Sequence, residues 1–256
     1  MEDPELVKNV MRDIVFMELA GINPVVVHGG GKAISAAMQS SGVEPEWIEG
    51  FRKTTEEVID IVEQVLSYEL NPSLVEMINE NGGDAIAVPG HKILKAKQHF
   101  PTSKSGDKLD IGRVGSVTSL DVDYLRNIIW QEKVPVISPI ALHEDEKYPM
   151  NVNADLAAAA IAKSLQVTKL IYLSDVPGVL QDKDDPSTLI SAINQEKANE
   201  LIDQGVIAGG MLPKVNSALD ALDAGVKKVH FIDGRMSHSL LLEIFTPSGI
   251  GTEISK

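Results

Sequence analysis

The chain has 256 residues, 43% of them hydrophobic, enough for one large domain or two modest ones around a substantial core. Its formal net charge of −14 argues against nucleic acid or an anionic membrane as the main partner, and the lack of cysteine excludes disulfides, thiolate chemistry and cysteine-bound zinc. No apolar run reaches the roughly 18 residues that span a bilayer, and Met1-Glu2-Asp3-Pro4 is acidic where a signal peptide is basic, so a cytoplasmic location is expected.

Asp3 is placed to cap a helix with Pro4 in its first turn, and apolar residues recur at Leu6, Val7, Val10, Met11, Ile14, Val15 and Met17 up to a stop at Gly21. Pro24-Val25-Val26-Val27 reads as a short buried parallel strand. Gly29 to Gly31 then turn the chain into a second helix beginning near Lys32. The stretch Ala85 to Thr118 breaks the rhythm, its short alternating runs, glycines and prolines suggesting hairpins or a flap. Asp121 opens a helix running to Glu132, and an apolar strand spans Val134 to Ser138. Strands at Lys169–Leu173 and Lys228–Ile232 and helices at about 154–165, 196–204 and 213–223 complete the order, with charged loops at 144–147 and 181–186. This alternation predicts an α/β protein, a three-layer α/β/α arrangement around an open, mainly parallel sheet. Two tightly joined lobes, 1–165 and 166–256, are expected.

Asn151-Val152-Asn153-Ala154-Asp155 sets two amides and a carboxylate at a loop-to-helix junction, where the first N–H groups of the helix lack intrahelical partners. Taken alone, a plain cap by Asn153 or Asp155 is the better reading. Gly29-Gly30-Gly31 after a strand is either a tight turn or a cradle of N–H groups for an anion. It is not a Walker loop, because Ala33 comes directly after Lys32, and it lacks the third glycine of a dinucleotide motif. Lys32 opposes the dipole of the helix it opens, a conflict that an anion would relieve. The conflict recurs in Gly209-Gly210-Met211-Leu212-Pro213-Lys214, where Pro213 suits the first helical position. Two such lysines point to a polyanion, triphosphate above all. Arg52 within Gly50-Phe51-Arg52-Lys53-Thr54 is either a surface residue or a fork for a carboxylate. Leu173-Ser174-Asp175-Val176-Pro177-Gly178 lies at the carboxyl end of a predicted parallel strand, where ligands of open α/β sheets bind. The six histidines show no metal spacing, and no G-x-S-x-G elbow is present.

Together, Pro24-Val25-Val26-Val27-His28-Gly29-Gly30-Gly31-Lys32, Gly50-Phe51-Arg52-Lys53-Thr54, Met150-Asn151-Val152-Asn153-Ala154-Asp155, Leu173-Ser174-Asp175-Val176-Pro177-Gly178-Val179-Leu180 and Gly210-Met211-Leu212-Pro213-Lys214-Val215-Asn216 resemble the amino acid kinase family. The resemblance covers nearly the whole chain and is strongest to members that phosphorylate N-acetyl-L-glutamate. It implies the fold of that family and transfer of the γ-phosphoryl of Mg-ATP to the side-chain carboxylate of N-acetyl-L-glutamate in arginine biosynthesis, with magnesium carried by the nucleotide. By matching motif, Gly30 and Gly31 would hold acceptor and phosphoryl oxygens, Arg52 the α-carboxylate, and Asn151 and Asn153 the acetylamino part. Lys214 would stabilise the transferring phosphoryl and Asp155 would orient the lysines. Ser174, Asp175, Gly178, Val179, Leu180, Gly209, Gly210 and Met211 would line the nucleotide site. On this reading the first lobe binds the acceptor and makes subunit contacts, the second binds ATP, and a hairpin at 85–97 forms a flap over the acceptor.

Two departures accompany the resemblance. The family opens with a strand ending in Lys-x-Gly-Gly, whose lysine is a second phosphoryl-stabilising cation; residues 1–4 resemble the stretch just downstream of that motif. If the motif is truly lost, severely reduced turnover is expected. The flap sequence Ala87-Val88-Pro89-Gly90-His91-Lys92 also differs from the family's glycine-rich turn. Near the C-terminus, the block from Asp233 to Thr252 resembles arginine-inhibited members, which implies His238, Glu243, Gly249 and Gly251 at an effector site; an amphipathic helix ending in a turn fits as well. The expected partners are N-acetyl-L-glutamate, an arginine effector, further copies of the chain as a dimer or hexamer, and a nitrogen-signalling protein. Rival readings are a kinase for another acylated amino acid, such as a carrier-linked aminoadipate, and a catalytically silent arginine- or partner-binding homologue.

Overall fold

In the computed structural model, which describes residues 3–103, 105–145, 147–247 and 249–256, Asp3 accepts the Glu5 N–H at 2.9 Å and opens the helix Pro4–Leu19. Met1, Glu2 and Glu146, the last in the loop expected at 144–147, lie outside the described residues. The chain resolves into two compact units, residues 23–157 and residues up to Ile22 joined with Ala158–Lys256. The opening helix therefore groups with the C-terminal part of the chain, and the change of unit falls inside the helix Ala154–Leu165. Both units are α/β, with mainly parallel sheets at their centres.

In the unit 23–157, Val134–Ile137 is buried at all four positions and pairs in parallel with Val26–Val27 on one side and Ala85–Val88 on the other. Such double-sided pairing suits its continuous apolar run. Ala85–Val88 is thus a strand of the core sheet, which corrects the expected 85–97 hairpin. Its Ile86 and Val88 are β-branched and favour a strand, and the adjoining Gly90–Lys92 forms a 3₁₀ turn instead of a flap. The hairpin of this region joins Leu94–Gln98 to Gly115–Leu120, and Leu94–Gln98 also pairs in parallel with Ile140–His143. A second, tight hairpin pairs Trp47–Ile48 with Phe51–Arg52. Its two turn residues, Glu49 at φ 46° and Gly50 at φ 82°, adopt the left-handed backbone that matches strand twist across a two-residue loop.

The motifs predict no element over 55–80, yet this stretch is helical almost throughout. Thr55 accepts the Val58 N–H and opens Glu56–Glu63, which runs through a π-helical segment, Gln64–Leu70, into Asn71–Glu80. Pro72 supplies the physical reason for the wider turn: it lacks an N–H, and its ring would strike the carbonyl four residues back in a regular α-helix. Val58, Ile59, Val62, Val65 and Leu66 pack with Ile34, Met38 and Ile140 as the local core.

The other unit orders its strands Lys169–Ser174, Lys228–Asp233, Thr252–Ser255 and Ala192–Asn194, antiparallel only between the middle two. Phe231, Val229, Leu201, Val215, Ala218 and Leu222 lie at the centre of its core. The helix expected from 213 begins at Met211, so Pro213 takes the third rather than the first position. Its missing N–H still falls in the turn where no intrahelical acceptor is required. No helix of the described residues is long and apolar enough to cross a membrane.

Gly90 offers a stringent test of the corrected topology, because a Cβ there would collide with the backbone oxygens of Ser138 and Ile140. Gly90→Ala is expected to destabilise the fold by about 3 kcal/mol, seen as a lower urea midpoint at unchanged slope. A variant as stable as the parent would show that 90 sits on a free flap.

Candidate functional site

Val26–Val27 delivers the chain to His28 and the three glycines, and the helix Gly31–Ser40 starts at the last of them. This helix has no side-chain cap and no acidic residue in its first turn, so its leading N–H groups together with Lys32 form a locally positive end. Gly30 is fitted closely by the π-helical segment: a Cβ would stand 2.6 Å from Leu70 Cδ1 and 2.7 Å from Leu66 Cδ2. Beneath the turn, His28 is buried, and Nδ1 donates to the Gly29 carbonyl at 2.9 Å. Its Nε2 therefore accepts from Asn71 Nδ2 at 3.0 Å, and that amide also donates to Val136 O at 2.9 Å. Burial holds the His28 pKa below its ordinary value, so the ring is neutral, as these two contacts require.

Arg52 leaves the tight hairpin and turns inward, 5% exposed. Its Nη2 donates to Gly31 O and Ser35 Oγ, both at 2.8 Å, and Nη1 meets Met38 Sδ at 3.3 Å. The Trp47 indole stacks on the guanidinium at 4.5 Å, across the strand pair. Among the described residues no carboxylate pairs with Arg52. Burial lowers its pKa, but a guanidinium keeps its charge under all ordinary conditions. Three of its five N–H groups are engaged by these contacts, leaving two for a ligand.

Asn151 ends the strand Pro149–Asn151 and donates from Nδ2 to Thr54 Oγ1 at 3.1 Å, and Thr54 in turn donates to Arg52 O at 2.9 Å. Asn151 is thereby tied to the backbone that carries the arginine. Asn153 Oδ1 accepts the N–H groups of Asp155 and Leu156 at 2.9 and 3.1 Å, so it caps the helix Ala154–Leu165, with Asp155 as the acid of its first turn. The plain cap is therefore present in the fold, alongside whatever else the segment does. Gly30, Gly31, Trp47, Arg52, Asn151 and Asn153 all line one cavity of about 190 Å³. That is room for about six waters, or a single small metabolite. A larger depression of about 630 Å³ between Asn71–Glu80 and Ala85–Val88 carries Glu76 and Glu80 but no cation, and suits an anion poorly.

The remaining expected residues belong to the other unit. Ser174 ends a parallel strand, with Asp175 beside it, and the Ser174 carbonyl accepts the Gly234 N–H at 2.9 Å. Gly178, at φ 149°, and Val179 lie against Thr252, whose Oγ1 accepts the Val179 N–H at 2.8 Å. Leu180 bridges to Leu189. Gly209, at φ 55°, and Gly210 lead into Met211–Asp223, again without a side-chain cap or a first-turn acid. Lys214 stands 5.8 Å from the centre of the Tyr172 ring. The uncapped, glycine-led, lysine-bearing helix start thus occurs in each unit.

Of the expected effector residues, Glu243, Gly249 and Gly251 meet around one buried carboxylate, whereas His238 pairs with Asp13. Glu243 is buried, pairs with His230 Nδ1, and accepts the N–H groups of Ile250 and Gly251 at 2.7 and 3.1 Å. Burial alone would raise its pKa, but the His230 bond and the two N–H groups together hold it below the ordinary value. A Cβ at Gly249, φ 60°, would lie 2.7 Å from the same carboxylate. His238, in the left-handed region at φ 58°, precedes the helix Ser239–Phe245 and contacts buried Asp13 at 2.7 Å.

Residues 1–233 match the family model described as the amino acid kinase family. The chain is 51% identical over 254 residues to an acetylglutamate kinase of Akkermansia muciniphila, covering 99% of this chain and 86% of that one. Among solved structures it is similar to the N-acetylglutamate synthase of Neisseria gonorrhoeae complexed with coenzyme A and N-acetyl-glutamate, with TM-score 0.85, 25% identity and 99% of this chain covered. The same synthase complexed with coenzyme A and L-arginine gives TM-score 0.79 and 26% identity, again over 99% of this chain. The chain spans 57% and 58% of those two synthase chains.

The Glu243 cluster makes a stability-versus-pH prediction. Because its folded pKa lies below the ordinary 4.5, its contribution is fully present above about pH 4.5 and is lost as pH falls through the folded value. Glu243→Gln is expected to cost about 2–4 kcal/mol at pH 7, and urea titrations should show the gap to the parent shrinking below about pH 4.5. A gap that stays constant down to about pH 3 would contradict the charged assignment.

Proposed function

The chain belongs to the amino acid kinase family, and from that premise we propose that it transfers the γ-phosphoryl group of ATP to the side-chain carboxylate of N-acetyl-L-glutamate. The observation that carries the proposal is Arg52: a buried cation with unspent N–H groups, no carboxylate partner among the described residues and a small cavity in front of it. A desolvated charge of this kind is costly until an anion completes it. An α-carboxylate supplies that anion, and the amide of Asn151 stands beside it for the acetylamino group.

In the reaction a side-chain carboxylate oxygen of the acceptor attacks the γ-phosphorus. A new P–O bond forms while the bond to the β–γ bridging oxygen breaks, and its electrons leave with ADP. No nucleophile or general base of the protein is needed, since the attacking oxygen is already ionised. The protein contributes position and positive charge. The N–H groups at the start of Gly31–Ser40 receive developing negative charge on the acceptor side. Lys214 and the N–H groups that open Met211–Asp223 do the same for the nucleotide, with Ser174, Asp175 and the turn at Gly178 lining its site. Asp155 keeps the orienting role that the family resemblance gives it, in the first turn of Ala154–Leu165, and magnesium carried by the nucleotide would neutralise charge on its phosphates. A cytoplasmic homo-oligomer is the setting this reading assumes.

Control by free arginine is a second reading, favoured by the likeness to a synthase chain in complex with L-arginine. In this protein the Glu243 carboxylate already accepts three donors of the chain itself, so arginine would have to share or displace them.

ATP-dependent acyl phosphate trapped with hydroxylamine is expected with N-acetyl-L-glutamate and not with free glutamate or N-acetyl-L-aspartate. Equal rates on all three, or turnover confined to a longer aminoadipate acceptor, would overturn the substrate assignment. Lys214→Ala is expected to lower kcat by about 10²- to 10³-fold with little change in the acceptor KM. An activity flat to millimolar arginine would remove the effector reading.

A further inference from the structure

Trp47 lines the cavity with 56% of its surface exposed, so it meets both the site and solvent. Its position is set by local structure. The left-handed pair Glu49-Gly50 closes a two-residue hairpin and puts Trp47 directly opposite Arg52. Cross-strand partners in such a hairpin lie close enough for side chains to meet. The indole face covers the guanidinium at 4.5 Å, while Gly31 O, Ser35 Oγ and Met38 Sδ surround its other contacts.

Resting on the reading of Arg52 as the acceptor's carboxylate site, we propose that Trp47 is a positioning residue for that site. It holds the guanidinium plane and shields the ion pair formed with the ligand carboxylate from water. The chemistry is compatible: cation–π attraction acts on the face of the guanidinium, whereas a carboxylate approaches in its plane, so the two do not compete. Glycine and serine contacts alone fix one edge of the fork. The indole fixes its tilt. A pair covered in this way is also less exposed to screening by salt.

The protein provides its own reporter, because Trp47 and Trp130 are its only tryptophans. Trp130 is 76% exposed at the end of the helix Val122–Trp130, away from the cavity lining, so Trp130→Phe leaves Trp47 as the sole emitter. Titrating that variant with N-acetyl-L-glutamate in the absence of ATP is expected to change Trp47 emission saturably. Trp47→Ala is expected to weaken acceptor binding about 5- to 20-fold, with kcat and the ATP KM within about twofold of the parent, as for lost uniform binding. It should also steepen the salt dependence of acceptor binding, and Trp47→Phe should restore most of both effects. A purely structural role for Trp47 would lower stability without altering the salt slope. Unchanged acceptor affinity and salt slope in Trp47→Ala would overturn the proposal, even if the parent turns over N-acetyl-L-glutamate normally. A parent that binds the acceptor through Trp47 but forms no acyl phosphate would instead sink the proposed function and leave this inference standing.

Discussion

A guanidinium held inside the protein with no carboxylate partner among the described residues is the constraint on which the first unit's site depends. Arg52 is nearly buried, and its chain-supplied acceptors are a carbonyl, a hydroxyl and a thioether. These are weaker partners than an anion, so the local structure is left electrostatically incomplete. Several otherwise separate features serve that one group. The tight hairpin fixes its direction, Gly31 and Ser35 of the helix Gly31–Ser40 engage one edge, and Thr54 with Asn151 anchors its backbone.

The glycine turn depends on a second, deeper layer of contacts. Asn71, fully buried, holds His28 in its neutral form, and His28 in turn holds the Gly29 carbonyl. Ser67 shares a hydrogen bond with Ser138 at 2.7 Å, and Ser138 accepts the Gly90 N–H at 3.1 Å. Ser67 lies within the π-helical segment and Asn71 begins the next helix, while Leu66 and Leu70 of the same segment press on Gly30. The irregular helix thus carries both the polar support and the apolar wall of the turn. π-Helical segments recur at functional sites for this kind of reason: one extra residue per turn re-aims several side chains at once.

Much of this is legible where chemistry and local geometry coincide. Asp3 and Asp121 announce their helices because a carboxylate before an apolar period satisfies free N–H groups, and both side chains do so here. Gly30, Gly31, Arg52, Asn151 and Asn153 can be singled out because each sits at the end of an element, where backbone donors or charges are left over; all five line the cavity. Asn153 shows the limit of that logic, since its side chain is occupied as a cap. The features that stay hidden in the sequence depend on distant partners. Asn71 gains its meaning from His28, 43 positions away, and Ser67 from Ser138, 71 positions away. Ala85–Val88 reads locally as half of a hairpin and becomes a core strand only through Val134–Ile137. The helix over 56–80 does carry a signal, Thr55 before two glutamates and apolar spacing, but its π-helical interruption disturbs the period that would reveal it.

The most direct measurement is a crystal structure of the protein soaked with N-acetyl-L-glutamate. The α-carboxylate is expected in the plane of the Arg52 guanidinium beneath Trp47, with the acetylamino group at Asn151 and the side-chain carboxylate toward Gly30 and Gly31. Density for the ligand in the depression beside Pro72 and Glu76, or an Arg52 still bound only to Gly31, Ser35 and Met38 with the acceptor elsewhere, would contradict this arrangement.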